Sequence, residues 1–334
     1  MEEVYLITGA AGHLGSNIVK KLLEENKKMR VFIKNGDKLP IADERIEVFY
    51  GDVRDRDSLN LFMKGLEGKD SILIHCAAIV SIASKYDDMV YQVNVNGVKN
   101  VMNECLENNI KRVVHVSSVH AIPEKKPGEV ITEVDHFDKN IVEGLYAQTK
   151  AEASQYVLDM AKKGLNVSIV HPSGIFGPGD YGHGHLTQMV IDYCNHRLTA
   201  AVQGGYDFVD VRDVVDGILS CAKNGKKGEC YILSNRHYEV KEILGILHDI
   251  TGHKPIKTYL PMWFAKWTAP LSELYYKIRK QAPLYTAYSL YTLTTNSYFS
   301  HEKATKELGY QTRPMEETLK DTVTFLKEQG RIAE

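Results

Sequence analysis

The chain predicts an α/β fold, a doubly wound parallel sheet followed by a smaller, mainly helical substrate lobe. Three observations carry this reading. Short β-branched runs alternate with longer helical patterns through the first half, a glycine-spaced turn joins the first run to the first helix, and after Pro172 the alternation breaks up. A length of 334 residues with 43% apolar side chains is enough for two lobes with cores of their own.

The strand-like runs cover residues 4–8, 30–34, 46–50, 71–76, 112–117 and 166–171. Between them, 14–25, 57–66, 89–108 and 145–163 repeat apolar residues at intervals of three and four, as a helix burying one face requires. Beyond Pro172 the chain is punctuated by Gly174, Gly177, Pro178, Gly179, Gly182, Gly184 and Gly204-Gly205, so the second lobe emerges from loops. Helical patterns then fill 214–222, 240–250, 261–280, 301–308 and 316–328. The expected division is a dinucleotide-binding domain over 1–175, rejoined by segments near 205–235, and a lobe over 176–334 that mostly binds substrate. Internal repeats and low-complexity tracts are absent from the sequence.

Composition removes several function classes. A net charge of -2 and a pI near 6.7 lack the basic excess of a nucleic-acid binder, so the expected partner is a small molecule. Cys76, Cys105, Cys194, Cys221 and Cys230 are scattered without CxxC spacing, which indicates neither a metal site nor a disulfide framework. Met1-Glu2-Glu3 runs straight into a strand without the basic start of a secretory signal. Nor is there a run of about 18 apolar residues to cross a membrane. A cytoplasmic protein is expected.

The first strand leads into Gly9-Ala10-Ala11-Gly12-His13-Leu14-Gly15, and a helix follows. Gly9 permits the tight turn, Gly12 lets the backbone approach a pyrophosphate, and Gly15 lets helix and strand pack closely. The helix N-terminus offers free N–H groups and a positive dipole end to the phosphates. This is the arrangement expected of a Rossmann turn that binds a dinucleotide's pyrophosphate.

Tyr146-Ala147-Gln148-Thr149-Lys150 sets a phenol and an ammonium one turn apart on one helix face. A nearby cation favours the phenolate, so Tyr146 is expected to have a depressed pKa and to exchange a proton with an alcohol or carbonyl. A second Tyr-x-x-x-Lys at Tyr276 lacks an upstream serine motif and reads as chance. The 112–117 run ends in hydroxyls at the carboxyl edge of the sheet, where α/β ligands bind. Ser118 and Ser117 are both candidates to hold the substrate oxygen toward Tyr146.

Taken in order, these motifs resemble the extended short-chain dehydrogenase/reductase superfamily, in its dihydroflavonol reductase and hydroxysteroid dehydrogenase-like branch. Thr8-Gly9-x-x-Gly12-x-x-Gly15 resembles its fingerprint, Gly51-Asp52-Val53 its adenine-binding segment, and His75-Cys76-Ala77-Ala78 its apolar stretch beside the cofactor. Asn94-Val95-Asn96-Gly97 resembles its helix motif, and Pro172 with Gly177-Pro178 its loop after a strand. The resemblance is close to about residue 180 and looser to Leu308-Gly309-Tyr310. It implies Ser118, Tyr146 and Lys150 as catalytic residues, with Ser118 favoured over Ser117. It implies cofactor binding by Gly9, Gly12, His13, Leu14, Gly15, Lys34, Asp52, Val53, Ala77, Ala78, Tyr146, Lys150, Pro172 and Ser173. A homodimer through 89–108 and 145–163 is a further implication.

Three functions fit: a carbonyl reductase or alcohol dehydrogenase, a nucleotide-sugar epimerase or dehydratase, and a cofactor sensor without turnover. Both Tyr146 and Lys150 stand, which disfavours the sensor. An epimerase needs cations to clamp a diphosphate, and the later lobe offers chiefly Arg197, Arg212 and Arg236. Residues 259–299 instead carry 11 aromatics, which suits a substrate with an apolar ring. His171 stands where many sugar-nucleotide relatives carry arginine. At the end of the second strand, where enzymes of NAD(H) usually place an acid, stands Lys34, so NADP(H) is expected over NAD(H).

Overall fold

The computed structural model describes residues 2–81, 86–182, 184–268 and 287–333. The strand-like runs of the first half form β1 (Glu3–Thr8), β2 (Met29–Ile33), β3 (Ile46–Tyr50), β4 (Asp70–His75), β5 (Arg112–Val116) and β6 (Val167–Pro172). Every residue of β5 and β6 is buried, which fits aliphatic strands covered on both faces. Later come β7 (Gly174–Phe176), β8 (Ala201–Val202), β9 (Gly205–Asp210), β10 (Cys230–Leu233), β11 (Arg236–Glu239) and β12 (Tyr259–Leu260).

The main sheet has seven parallel strands in the order β10-β6-β5-β4-β1-β2-β3. Strand order reverses beside β1, so a crevice opens there at the carboxyl ends of β1 and β4. Both small sheets lie in the later half of the chain, one of β11, β9 and β7 and one of β12 and β8, beside its helices.

The helices are α1 (His13–Glu24), α2 (Arg56–Met63), α3 (Asp88–Tyr91), α4 (Val98–Glu107), α5 (Leu145–Lys162), α6 (His185–Cys194), α7 (Val211–Asn224), α8 (Val240–Thr251), α9 (262–268), α10 (Ala287–Thr292), α11 (Glu302–Leu308) and α12 (Met315–Glu328). One core packs α1, α7 and α11 against the sheet through Ile18, Leu22, Val214, Ile218 and Leu308. The other packs α2, α4 and α5 through Leu59, Phe62, Val101, Met102 and Val157, and continues into α6, α8 and α12. No helix among the described residues is long and apolar enough to cross a membrane.

The pattern over 89–108 predicts one helix, and the chain instead opens into a π-helical turn at Gln92–Gly97 between α3 and α4. Asn94 supplies the reason. Its side-chain oxygen accepts from Ile79 N at 2.8 Å and its amide donates to Ile79 O at 3.0 Å, holding the segment after β4 against the helix. At Gly97 a Cβ would lie 2.7 Å from the Val53 side chain, so glycine permits that packing. Of the expected helix over 261–280 only 261–268 is described, and 262–268 is helical. Tyr276 and Tyr285 lie outside the described residues.

Candidate active site

The three glycines of the first turn have different physical reasons. Gly9 has φ +72°, and a Cβ there would sit 2.7 Å from Ala77 N. At Gly15 a Cβ would run into the Gly9 carbonyl oxygen. Gly12 needs no such freedom: its φ is -79°, and a Cβ would meet only Gly9 O, at 3.4 Å. The fold leaves room for a side chain at Gly12, so the open backbone there suits an approaching ligand.

Helix α1 begins at His13 with no side-chain cap and no acidic residue in its first turn, which leaves N–H donors and the positive dipole end for an anion. His13 Nε2 donates to Pro178 O at 3.2 Å and Asn17 donates to the same carbonyl at 3.1 Å, so the loop after β7 is tied to that turn. Leu14 packs against the α1 side of the sheet. These features fit the pyrophosphate of a dinucleotide.

Farther along the sheet edge, Lys34 follows β2 and is exposed. It lies near Asp52, whose carboxylate is gripped by Arg54 at 2.9 and 2.6 Å. Chiefly that bond, helped by Lys34, holds the Asp52 carboxyl below its ordinary range. Val53 is buried against Gly97. Ala77 and Ala78 follow β4 half-buried, and Ala77 N donates to Thr8 Oγ1 at 3.4 Å. Pro172 ends β6, and Ser173 is buried beside Asp207.

Helix α5 carries the Tyr146/Lys150 pair. It starts after Gly144, whose φ of +90° favours glycine and whose missing Cβ makes way for the Tyr288 ring. Tyr146 is 8% exposed and Lys150 4%. The Lys150 ammonium donates to Val116 O at 3.0 Å, which anchors it to the end of β5 and 6.0 Å from the Tyr146 ring centre.

The two serines separate cleanly. Ser117 Oγ pairs with Ser154 Oγ at 2.7 Å inside the protein, whereas the Ser118 hydroxyl faces the Tyr146 phenol and stabilises its anion. Ser118 Oγ also accepts from His120 N at 3.2 Å, and its carbonyl accepts from His171 Nδ1 at 2.9 Å.

The expected depression of the phenol pKa is not found. Burial pushes Tyr146 up to about 12, offset in part by the Ser118 hydrogen bond. Burial likewise lowers Lys150 to about 8. Desolvation outweighs attraction here because neither group has a full counter-charge within hydrogen-bond reach.

A cavity of about 270 Å³ lies next to Tyr146, reached through its neighbours Ala147 and His120; Ser118, Tyr146 and Lys150 are not part of its described lining. Val119, Ile122, Ile131, Ile141, Val142 and Phe299 give it aliphatic and aromatic walls; Tyr206, Tyr288 and Tyr291 add phenols; and Asn140, Thr295, Asn296, Glu124 and Glu143 make much of its exposed lining polar, with no lysine or arginine among the described lining. His120 lies between Tyr146, at 5.9 Å between ring centres, and Tyr206, on which it stacks at 5.5 Å. Its two ring nitrogens meet the Tyr206 and Tyr288 hydroxyls at 3.2 and 3.4 Å. Burial brings His120 down to about 4, so it is a neutral hydrogen-bonding group near pH 7.

Sequence reasoning left out His120, Gly144 and Tyr206. The 11 aromatics of 259–299 pointed toward Tyr288, Tyr291 and Phe299, but Trp263 and Trp267 face solvent instead. The three arginines named as diphosphate clamps are held by carboxylates: Arg197 by Asp192, Arg212 by Asp210 and Asp321, and Arg236 by Glu242.

A sequence profile of the NAD dependent epimerase/dehydratase family matches residues 5–238. The chain is 32% identical to sterol demethylase protein B of Methylococcus capsulatus, over 98% of this chain and 99% of that one. It is 27% identical to the sterol-4-alpha-carboxylate 3-dehydrogenase, decarboxylating, of Mus musculus, over 95% of this chain and 89% of that one. The crystal structure of gox2253 superposes with a TM-score of 0.85 at 30% identity, covering 99% of both chains. With the glycine turn, the reversal of strand order and these matches together, the chain belongs to the NAD dependent epimerase/dehydratase family and is an NAD(P)-dependent enzyme of the extended short-chain dehydrogenase/reductase type.

Proposed function

We propose that the protein interconverts a ketone or aldehyde and its alcohol on an uncharged substrate with an apolar ring, using Ser118, Tyr146 and Lys150. The observation that carries this is the buried Tyr146 phenol facing Ser118, next to a cavity that mixes aliphatic, phenolic and neutral polar side chains and has no described cation. The bound dinucleotide would supply or accept the hydride. Ser118 holds the substrate oxygen, and Tyr146 donates its proton to that oxygen in reduction and takes it back in oxidation. Held at about 12, the phenol is a proton donor throughout neutral pH. Lys150, fixed on Val116 O, keeps a positive charge beneath the reacting groups and a donor for a ribose hydroxyl. The sterol-named relatives agree with a ring substrate, and the committed arginines count against a nucleotide-sugar diphosphate.

The test is a cofactor-oxidation screen of steroids, other cyclic ketones, aldehydes and UDP-sugars. We expect turnover with cyclic ketones, and a Tyr146→Phe variant that binds cofactor normally but turns over about 10²–10⁴-fold more slowly. Preference for UDP-sugars, or a fully active Tyr146→Phe variant, overturns the reading.

Exposed Lys34 supports NADP(H) as cofactor. An ammonium about 4 Å from a 2′-phosphate contributes on the order of 1–4 kcal/mol, roughly tenfold to several-hundredfold in preference. Lys34→Asp is expected to reverse the ratio of NADPH to NADH affinity in calorimetry. Equal affinities in the parent protein refute the assignment.

A further inference from the structure

Both tryptophans of the chain lie on α9, four residues apart, and both are exposed, Trp263 at 72% and Trp267 at 69%. Exposed Lys266 sits on the same helical face, three residues from Trp263. An exposed indole pair costs solubility, and among the described residues α9 is anchored by its other face instead. That face packs Met262 and Ala265 against Val202 and Leu290.

Charge supplies the second observation. The protein as a whole carries -2, yet between Asp249 and Glu273 there is no acidic residue, while Lys254, Lys257 and Lys266 are all exposed. None of the three has a carboxylate partner among the described residues. In sequence the basic character continues through Lys277, Arg279 and Lys280. Indole rings favour the water–lipid boundary because an apolar body carries one polar N–H, and lysines beside them gain from anionic headgroups.

We propose that the α9 face of Trp263, Lys266 and Trp267, with Lys254 and Lys257 beside it in the chain, docks the protein peripherally on an anionic lipid surface. Its place in the fold gives the contact a use. Leu290, against which α9 packs, belongs to α10, whose Tyr288 and Tyr291 line the cavity, so the docked face overlies the cavity wall. An apolar ring compound dissolved in a bilayer would then have a short path to Tyr146. That use rests on the function proposed above; the docking itself does not.

Because no other tryptophan exists in the chain, intrinsic indole emission reports on this face alone. The full-length protein is titrated with vesicles of phosphatidylcholine, with and without about one third phosphatidylglycerol, and with brominated lipids as quenchers. We expect co-sedimentation with anionic vesicles, a blue shift and bromine quenching, all weakened by salt. Lys266→Glu should weaken binding at least fivefold, and Trp263→Ser/Trp267→Ser at least tenfold, with turnover of a water-soluble ketone unchanged. Absence of vesicle binding overturns the inference, as does binding without quenching. An emission shift that follows protein concentration without vesicles assigns the face to a second copy of the chain and also overturns it. Tyr146→Phe should dock normally, which keeps failure of the catalytic reading separate from failure of this one.

Discussion

Lys150 is the residue at which function and stability oppose each other. Its ammonium is buried and, among the described residues, donates to a neutral acceptor, Val116 O; its folded pKa of about 8 lies below the ordinary 10.5. Below pH 8 the amine is charged in both states and the folded state carries the full desolvation penalty. As pH rises from 8 toward 10.5 the folded protein releases this proton first, the unfolded chain holds more protons, and stability rises. We therefore expect Lys150→Met to abolish turnover yet melt higher than the parent near pH 7. The difference between the two should change by on the order of 3 kcal/mol across that pH window. Urea titrations at pH 7 and pH 10 measure it; a pH-independent difference would show that Lys150 is already solvated. The helical spacing of Tyr146 and Lys150 was legible from residue order alone. The elevation of the phenol was not, because it depends on burial by Tyr288, Tyr206 and His120, two of which lie far along the chain.

At the scale of elements, the glycine turn separates a demand of the fold from a demand of the ligand. A Cβ at Gly15 meets the Gly9 carbonyl, so Gly15→Ala should lower stability by about 1–3 kcal/mol through forced separation of α1 from β1. Gly12 has extended backbone and space, so Gly12→Val should melt close to the parent while dinucleotide binding is lost. Thermal melts paired with calorimetry resolve the two, and a Gly12→Val protein that binds cofactor normally removes the pyrophosphate from this turn. Strand runs and most helices followed from periodicity, since the period of apolar residues reports directly on which face is covered. The π-helical turn at Gln92–Gly97 did not, because its cause is a tertiary bond from Asn94 to Ile79 that helical periodicity does not encode.

The whole molecule is stitched together by a late strand. β10 pairs with β6 in the register Cys230↔Ile169 to Leu233↔Pro172, although some sixty residues separate them. Removing everything after residue 175 would leave β6, buried along its full length, as an unpaired edge without α7 and α11 over it. A fragment of residues 1–175 should accordingly aggregate, whereas the full chain elutes as a compact species; gel filtration of both decides this. A soluble, cooperatively melting fragment would show that the sheet needs only six strands.

The strand runs, the glycine turn that opens α1 and the spacing of Tyr146 and Lys150 were determined by sequence alone, because each depends on the pattern within one strand, one turn or one helix. Only the tertiary structure turned Ser117 inward onto Ser154 and left Ser118 toward Tyr146, seated His120 between two distant tyrosines and committed the three arginines to carboxylates. It also decided which aromatics of 259–299 line the cavity and which meet solvent. Each of those depends on which distant segment arrives alongside, and so on burial and partners that no local pattern records.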